Sequence, residues 1–132
     1  MTPAAKRILI VDDDRDFVEA TQAFLEANGF TVLRAHNGRD GVKLARMERP
    51  DLILMDIMMD ERTEGFFTIR EIRRQEELKG VPIFVLSALY AQMPNFGSPP
   101  DSAWLAHDEF LSKPVDMVQL VEKIRQRIGQ PA

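Results

Sequence analysis

The chain has 132 residues, 45% of them hydrophobic, and a formal net charge of −4, values that suit one ordinary domain able to bury a core without staples. Cysteine is absent, which excludes disulfides, thiolate metal sites and cysteine nucleophiles. His36 and His107 lie too far apart in sequence to suggest a histidine metal site, no Lys/Arg block suggests nucleic acid, and the first apolar run is too short for a signal segment or membrane span.

That first run, Ile8-Leu9-Ile10-Val11, is β-branched and continuous, the pattern of a parallel strand buried on both faces. Asp12-Asp13-Asp14 ends it. Phe17, Thr21, Phe24, Leu25 and Asn28 then recur at helical spacing, with Asp13 or Asp14 able to cap the start and Gly29 the end. Phe30 to Ala35 predicts a short second strand. Asn37 can cap a second helix carrying Val42, Leu44 and Ala45, which stops before Pro50. Asp51 to Asp56 repeats the opening pattern, an apolar strand with an acid at its C-terminal end.

After a loop, Gly65 to Leu78 predicts a third helix with Phe66, Ile69, Ile72 and, as one alternative, Arg73 along one side. Its arginines Arg70, Arg73 and Arg74 are expected on a solvated face. Pro82 to Leu86 predicts a fourth buried strand, ending at Ser87. Pro94, Gly97, Pro99 and Pro100 forbid one long helix over 88–108. Glu109 to Ser112 predicts a fifth strand. Asp116 can cap a last helix with Met117, Leu120, Val121, Ile124 and Ile128 on one face. Alternating strands and helices predict an α/β fold with a doubly wound, five-stranded parallel sheet, flavodoxin-like, in the order 2-1-3-4-5.

In such a sheet, ligands bind beyond the carboxyl ends of the strands, at the switch point between strands 1 and 3. Asp12 and Asp13 follow strand 1, Asp56 ends strand 3, Ser87 ends strand 4 and Lys113 follows strand 5. The topology therefore gathers three carboxylates, a hydroxyl and an ammonium at one edge. Three carboxylates require a proton or a cation between them. Oxygen donors without Cys or His select a hard cation, and Mg2+ fits best. Lys113 and Ser87 can bind phosphoryl oxygens, so a carboxylate here is a reasonable nucleophile for phosphoryl transfer.

Four motifs, VDDD at 11–14, LILMD at 52–56, VLSA at 85–88 and FLSKP at 110–114, together resemble the receiver domain of two-component response regulators over about residues 7–128. The resemblance implies a role for each matching residue. Asp56 takes a phosphoryl group from a phosphohistidine. Asp12 and Asp13, with the backbone carbonyl of Met58, bind Mg2+ beside it. Lys113 contacts the phosphoryl group, and Lys113–Pro114 is a cis peptide. Ser87 turns toward the phosphoryl oxygen, and Phe110 rotates inward as Ser87 moves.

Some positions depart from the family pattern. Asp60 stands where receivers often have proline, and the distance from Asp56 to Gly65, across the acidic stretch 58–65, is one residue longer than the common family pattern. Asp60 or Glu61 could touch a cation, although solvated loop acids are the plainer reading. The 88–108 span, where the family has a helix used for output and dimerisation, is longer and proline-rich. An irregular or shortened helix is expected there. Tyr90, Phe96 and Trp104 in that span either cover the sheet's apolar flank or form a docking surface. His36 is expected at the surface after strand 2. Met58 and Leu89, two residues after Asp56 and Ser87, are apolar and cannot orient a hydrolytic water, so a long-lived phosphorylated state is expected.

The resulting expectation is a single receiver domain over 1–132, stand-alone and resembling the chemotaxis regulators. It would be cytoplasmic, a monomer or weak dimer, and no enzyme beyond its own phosphorylation and dephosphorylation. Its partners would be a histidine kinase or histidine phosphotransfer protein and a downstream protein, with neither nucleic acid nor membrane. Two rivals stand beside it. One is a degenerate receiver that binds proteins without phosphorylation, with Asp12, Asp56 and Lys113 as a structural salt-bridge cluster. The other is an aspartyl-phosphate phosphatase of the haloacid dehalogenase kind, which would need a second acid where Met58 stands.

Overall fold

The computed structural model describes residues 5–56, 64–87 and 109–129. Five strands, β1 (Arg7–Val11), β2 (Thr31–Ala35), β3 (Leu52–Asp56), β4 (Ile83–Ser87) and β5 (Glu109–Ser112), form one sheet in the order β2-β1-β3-β4-β5. Every neighbouring pair is parallel. The described helices are α1 (Arg15–Ala27), α2 (Gly38–Glu48), α3 (Glu64–Arg74) and α4 (Met117–Ile128). The predicted doubly wound α/β order is the observed one.

The uninterrupted apolar runs of β1, β3 and β4 follow from a sheet covered on both faces, because successive side chains point to opposite sides. Leu9, Val11, Ile53, Met55, Ile83 and Val85 join Ala45 of α2 and Ile69 and Ile72 of α3 in one core. Ile8, Ile10, Leu52, Leu54, Phe84 and Leu86 join Val18 and Leu25 of α1 and Leu120, Val121 and Ile124 of α4 in the other. The strands split by odd and even position, so a one-residue slip would exchange the two cores.

Three of the described helices, α1, α2 and α4, begin at a side-chain cap. Asp14 is the N-cap of α1, its carboxylate accepting from the amide of Phe17 at 3.1 Å. Asn37 caps α2 through the amide of Asp40 at 2.8 Å, and Asp116 caps α4 through Val118 and Gln119. Gly29, at φ +94°, leaves α1 by a turn that suits glycine. Gly41 lets α2 approach β1, since a Cβ there would lie 2.9 Å from both γ-methyls of Val11.

The structure corrects three expectations. The third helix does not run from 65 to 78: α3 stops at Arg74 and a 3-10 turn, Glu76–Leu78, follows. Of the two placements open for Arg73, the solvated face is not the observed one. The residue is half-buried, and its Nη1 donates to the carbonyls of Leu78, Lys79 and Val81 at 3.0, 3.0 and 2.7 Å, satisfying the chain as it leaves the turn. Phe30 precedes β2 and is buried in the core at 3% exposure rather than starting the strand. Residues 57–63, with Met58, Asp60 and Glu61, and residues 88–108, with Leu89, Tyr90, Phe96, Trp104 and His107, lie outside the described residues. Among the described residues no helix is long and apolar enough to cross a membrane.

Candidate functional site

The carboxyl edge of the sheet gathers the acids because β1 and β3 are adjacent and in register, Val11 opposite Met55. The residue after each pairing position, Asp12 and Asp56, therefore emerges at the same level. Asp12 is held by its own amide, which donates to the Ala35 carbonyl at 3.0 Å, and by its Oδ1, which accepts from the Asp14 amide at 2.9 Å. Both side chains are buried, at 1% and 4% exposure for the residues, which is unusual for aspartate unless paired. Asp13 is half-buried beside them. One carboxylate oxygen from each of Asp12, Asp13 and Asp56 lies within 4.8 Å of the others.

Lys113 brings the opposite charge from β5. Its Nζ lies 2.7 Å from Asp12 Oδ2 and 3.6 Å from Asp56 Oδ2. The same ammonium stands over the Phe17 ring, 4.2 Å from its centroid. The peptide from Lys113 to Pro114 is cis, as the resemblance implied. At the opposite edge, Arg7 pairs with Glu48 at 2.7 Å as a half-exposed couple.

Three carboxylates and one ammonium leave a formal charge of −2, most of it out of water. Like charges this close disfavour one another's ionised forms, so the donor set invites a divalent cation. All three side-chain donors are carboxylate oxygens, and no Cys or His shares the group. That chemistry fits a hard ion of the Mg2+ kind and not zinc or copper. The described residues thus fit the expected metal, with Asp12, Asp13 and Asp56 as the side chains that would hold it.

Of the remaining predicted residues, Ser87 closes β4, with its backbone opposite Ser112, and the backbone of Phe110 pairs with Val85. Their side chains lie outside the described set, as does all of Met58. The sequence gives no signal for two further contacts. His36, expected at the surface, is half-buried with Nδ1 3.3 Å from the Asp12 carbonyl oxygen. Phe17, whose helical spacing marks it only as a core residue, also touches Lys113.

A doubly wound sheet with this acidic edge and a lysine reaching it from the last strand is the arrangement that the resemblance to receiver domains implied. The chain belongs to the response regulator receiver domain family, whose profile matches residues 8–125. It is similar to Protein PilH of Pseudomonas aeruginosa, 36% identical over 121 residues that span 89% of this chain and 93% of that one. It is also similar to the polar-differentiation response regulator DivK of Brucella anthropi, 28% identical over 94% of this chain and 97% of that one. Among solved structures, the receiver domain of sensor histidine kinase PA1611 from Pseudomonas aeruginosa PAO1 superposes with a TM-score of 0.83 at 29% identity. The match covers 96% of this chain and all of that one, which carries a magnesium ion coordinated in its active-site cleft.

Proposed function

We propose that this chain is a phosphoacceptor switch in which Asp56 receives a phosphoryl group from a phosphohistidine on a histidine kinase or phosphotransfer protein. The observation that carries the reading is the Lys113 ammonium between two buried carboxylates, 2.7 Å from Asp12 and 3.6 Å from Asp56. A carboxylate oxygen of Asp56 attacks phosphorus. The P–N bond to the donor imidazole breaks, and its electron pair leaves with the nitrogen. Lys113 offsets negative charge on the phosphoryl oxygens, and the Ser87 hydroxyl donates to another of them. Asp12, Asp13 and Asp56, with the Met58 carbonyl, would hold Mg2+, which neutralises charge on the phosphoryl group when bound.

The phosphoryl contacts at Ser87 and Lys113 would then draw Phe110 inward and alter a protein-binding surface. In this reading the chain acts as one receiver unit in the cytoplasm and as no enzyme beyond its own phosphorylation and dephosphorylation. The similarity to PilH and DivK, and the magnesium ion held by the PA1611 receiver domain, support it.

Intact-mass measurement after incubation with acetyl phosphate, with and without Mg2+, tests the reading. A Mg2+-dependent phosphoryl adduct is expected on the wild type and none on Asp56→Asn. No adduct, where a control receiver reacts, would leave a phosphorylation-independent binding module. Steady turnover of small phosphate esters would point to a phosphatase instead.

A further inference from the structure

The ammonium of Lys113 has three N–H donors and stands in a site where its side chain is only 18% exposed. One direction is taken by Asp12 Oδ2 at 2.7 Å. Asp56 Oδ2, at 3.6 Å, is within ion-pair range but beyond a hydrogen bond. The Phe17 ring faces the ammonium at 4.2 Å from Nζ to the centroid, inside the distance at which a ring's negative face attracts a cation. The ring itself is fixed. It is half-buried, packs against the core shared by α1 and α4, and stands on a backbone whose amide binds the Asp14 cap.

We propose that Phe17 is a positioning residue that holds Lys113 where its ammonium can reach a phosphoryl group on Asp56. It acts through Lys113 and does not touch the phosphoryl group. The proposal rests on the phosphoacceptor reading of Asp56 for its purpose, and on the observed contact for its geometry.

The chemistry of the partner decides why a ring suits this place. For Lys113 to serve the phosphoryl oxygens, its ammonium must shift from Asp12 without losing its aim. Another carboxylate in the position of Phe17 would neutralise the ammonium and compete with the phosphoryl oxygens for its protons. An aliphatic side chain would fill the space but offer no attraction. A ring attracts the cation through its quadrupole and carries no net charge, so it restrains the lysine while leaving its positive charge for the incoming anion. Asp12 is the partner that can be given up, because its carboxylate belongs to the acid group that a bound cation would share.

The test replaces Phe17 in the full chain with 3,4,5-trifluorophenylalanine, which keeps the ring's approximate shape but cancels its quadrupole, and separately makes Phe17→Tyr and Phe17→Leu. Two quantities are read. The first is the NMR order parameter of the Lys113 Cε methylene, measured without phosphodonor. The second is the rate of phosphoryl uptake from acetyl phosphate with Mg2+, in which the O–P bond of the donor breaks and acetate leaves.

Lys113 is expected to lose order on fluorination and in Phe17→Leu, and to keep it in Phe17→Tyr. Uptake is expected to slow by about three- to tenfold in the first two and to stay within about twofold of wild type in the third. In a Lys113→Met background, fluorination should change the rate by less than about twofold, since the ring then has no cation to hold. Unchanged Lys113 order in the fluorinated and Leu proteins overturns the proposal. So does a slowing that persists undiminished in the Lys113→Met background, which would mean that the ring acts by packing alone. If the wild type takes up no phosphoryl group, the phosphoacceptor reading falls by itself. Loss of Lys113 order on fluorination then still supports the hold on the lysine, and retention of order overturns it.

Discussion

The Lys113 ammonium stands nearer to Asp12 than to Asp56, 2.7 Å against 3.6 Å. It therefore sits on the carboxylate after β1 and leans toward the one that ends β3. Removing it takes a counter-charge from two buried acids. Breaking one side of a fully buried pair costs about 3–5 kcal/mol; with the Lys113 side chain 18% exposed, Lys113→Met is expected to cost somewhat less, about 2–4 kcal/mol. Saturating Mg2+ should stabilise this variant more than wild type, because the cation no longer competes with the lysine for Asp12. Urea unfolding with and without Mg2+ measures both, and equal Mg2+ increments in the two proteins would contradict the competition.

Asp13 contributes charge to the cluster from a half-buried position. Asp13→Asn lowers the mutual repulsion and removes a donor. Without metal, its stability is expected to equal or exceed wild type by up to about 1 kcal/mol. Wild type should gain about 2.7 kcal/mol at Mg2+ a hundredfold above its Kd. The variant should gain less at the same concentration, as read by the shift in Tm.

Gly41 faces Val11 so closely that a methyl group cannot enter without shifting the Val11 side chain or the elements that carry the two residues. Gly41→Ala should destabilise by about 1–3 kcal/mol through overpacking, although alanine favours helix. The pairing of Gly41→Ala with Val11→Ala tests the cause. The double variant should lose less than the sum of the two single losses, whereas strict additivity would place the cost elsewhere.

Arg73 binds three carbonyls through one nitrogen. Arg73→Met keeps the stem but takes this donor from the Lys79 and Val81 carbonyls, while the Leu78 carbonyl still accepts the Val81 amide at 3.2 Å; a loss of about 1–3 kcal/mol is expected. Arg74→Met should change stability by less than about 0.5 kcal/mol, because among the described residues Arg74 makes an exposed pair with Glu71 at 2.9 Å. Parallel chemical denaturation of the two variants separates them.

Phosphoryl lifetime tests the apolar residues at 58 and 89. The phosphorylated wild type should persist well beyond seconds in buffer. Met58→Asn and Leu89→Glu should each shorten that lifetime by supplying a group that can orient water. Decay of a radiolabelled or mass-resolved adduct gives the rates.

The strand-ending acids were legible because apolar runs in a buried parallel sheet announce where they stop. Asp12 and Asp56 come together from strand order and parity alone. Asp14 and Asn37 were legible as caps from their chemistry. Phe17 was not, since a residue at core spacing looks the same whether its outer edge meets solvent or an ammonium. His36 depends on the backbone path after β2, which no local pattern encodes. Arg73 was hidden because reading 65–78 as one helix removed the turn whose carbonyls it binds.

The residues Asp12, Asp13 and Asp14 have a consequence for local motion. Asp12 accepts the Asp14 amide, and Asp14 accepts the Phe17 amide, so the first turn of α1 frays only by disturbing the carboxylates. Amide exchange at Asp14 and Phe17 is then a clock that the site itself winds. Anything that tightens the acidic edge should slow these two protons while leaving the caps of α2 and α4 at their own pace.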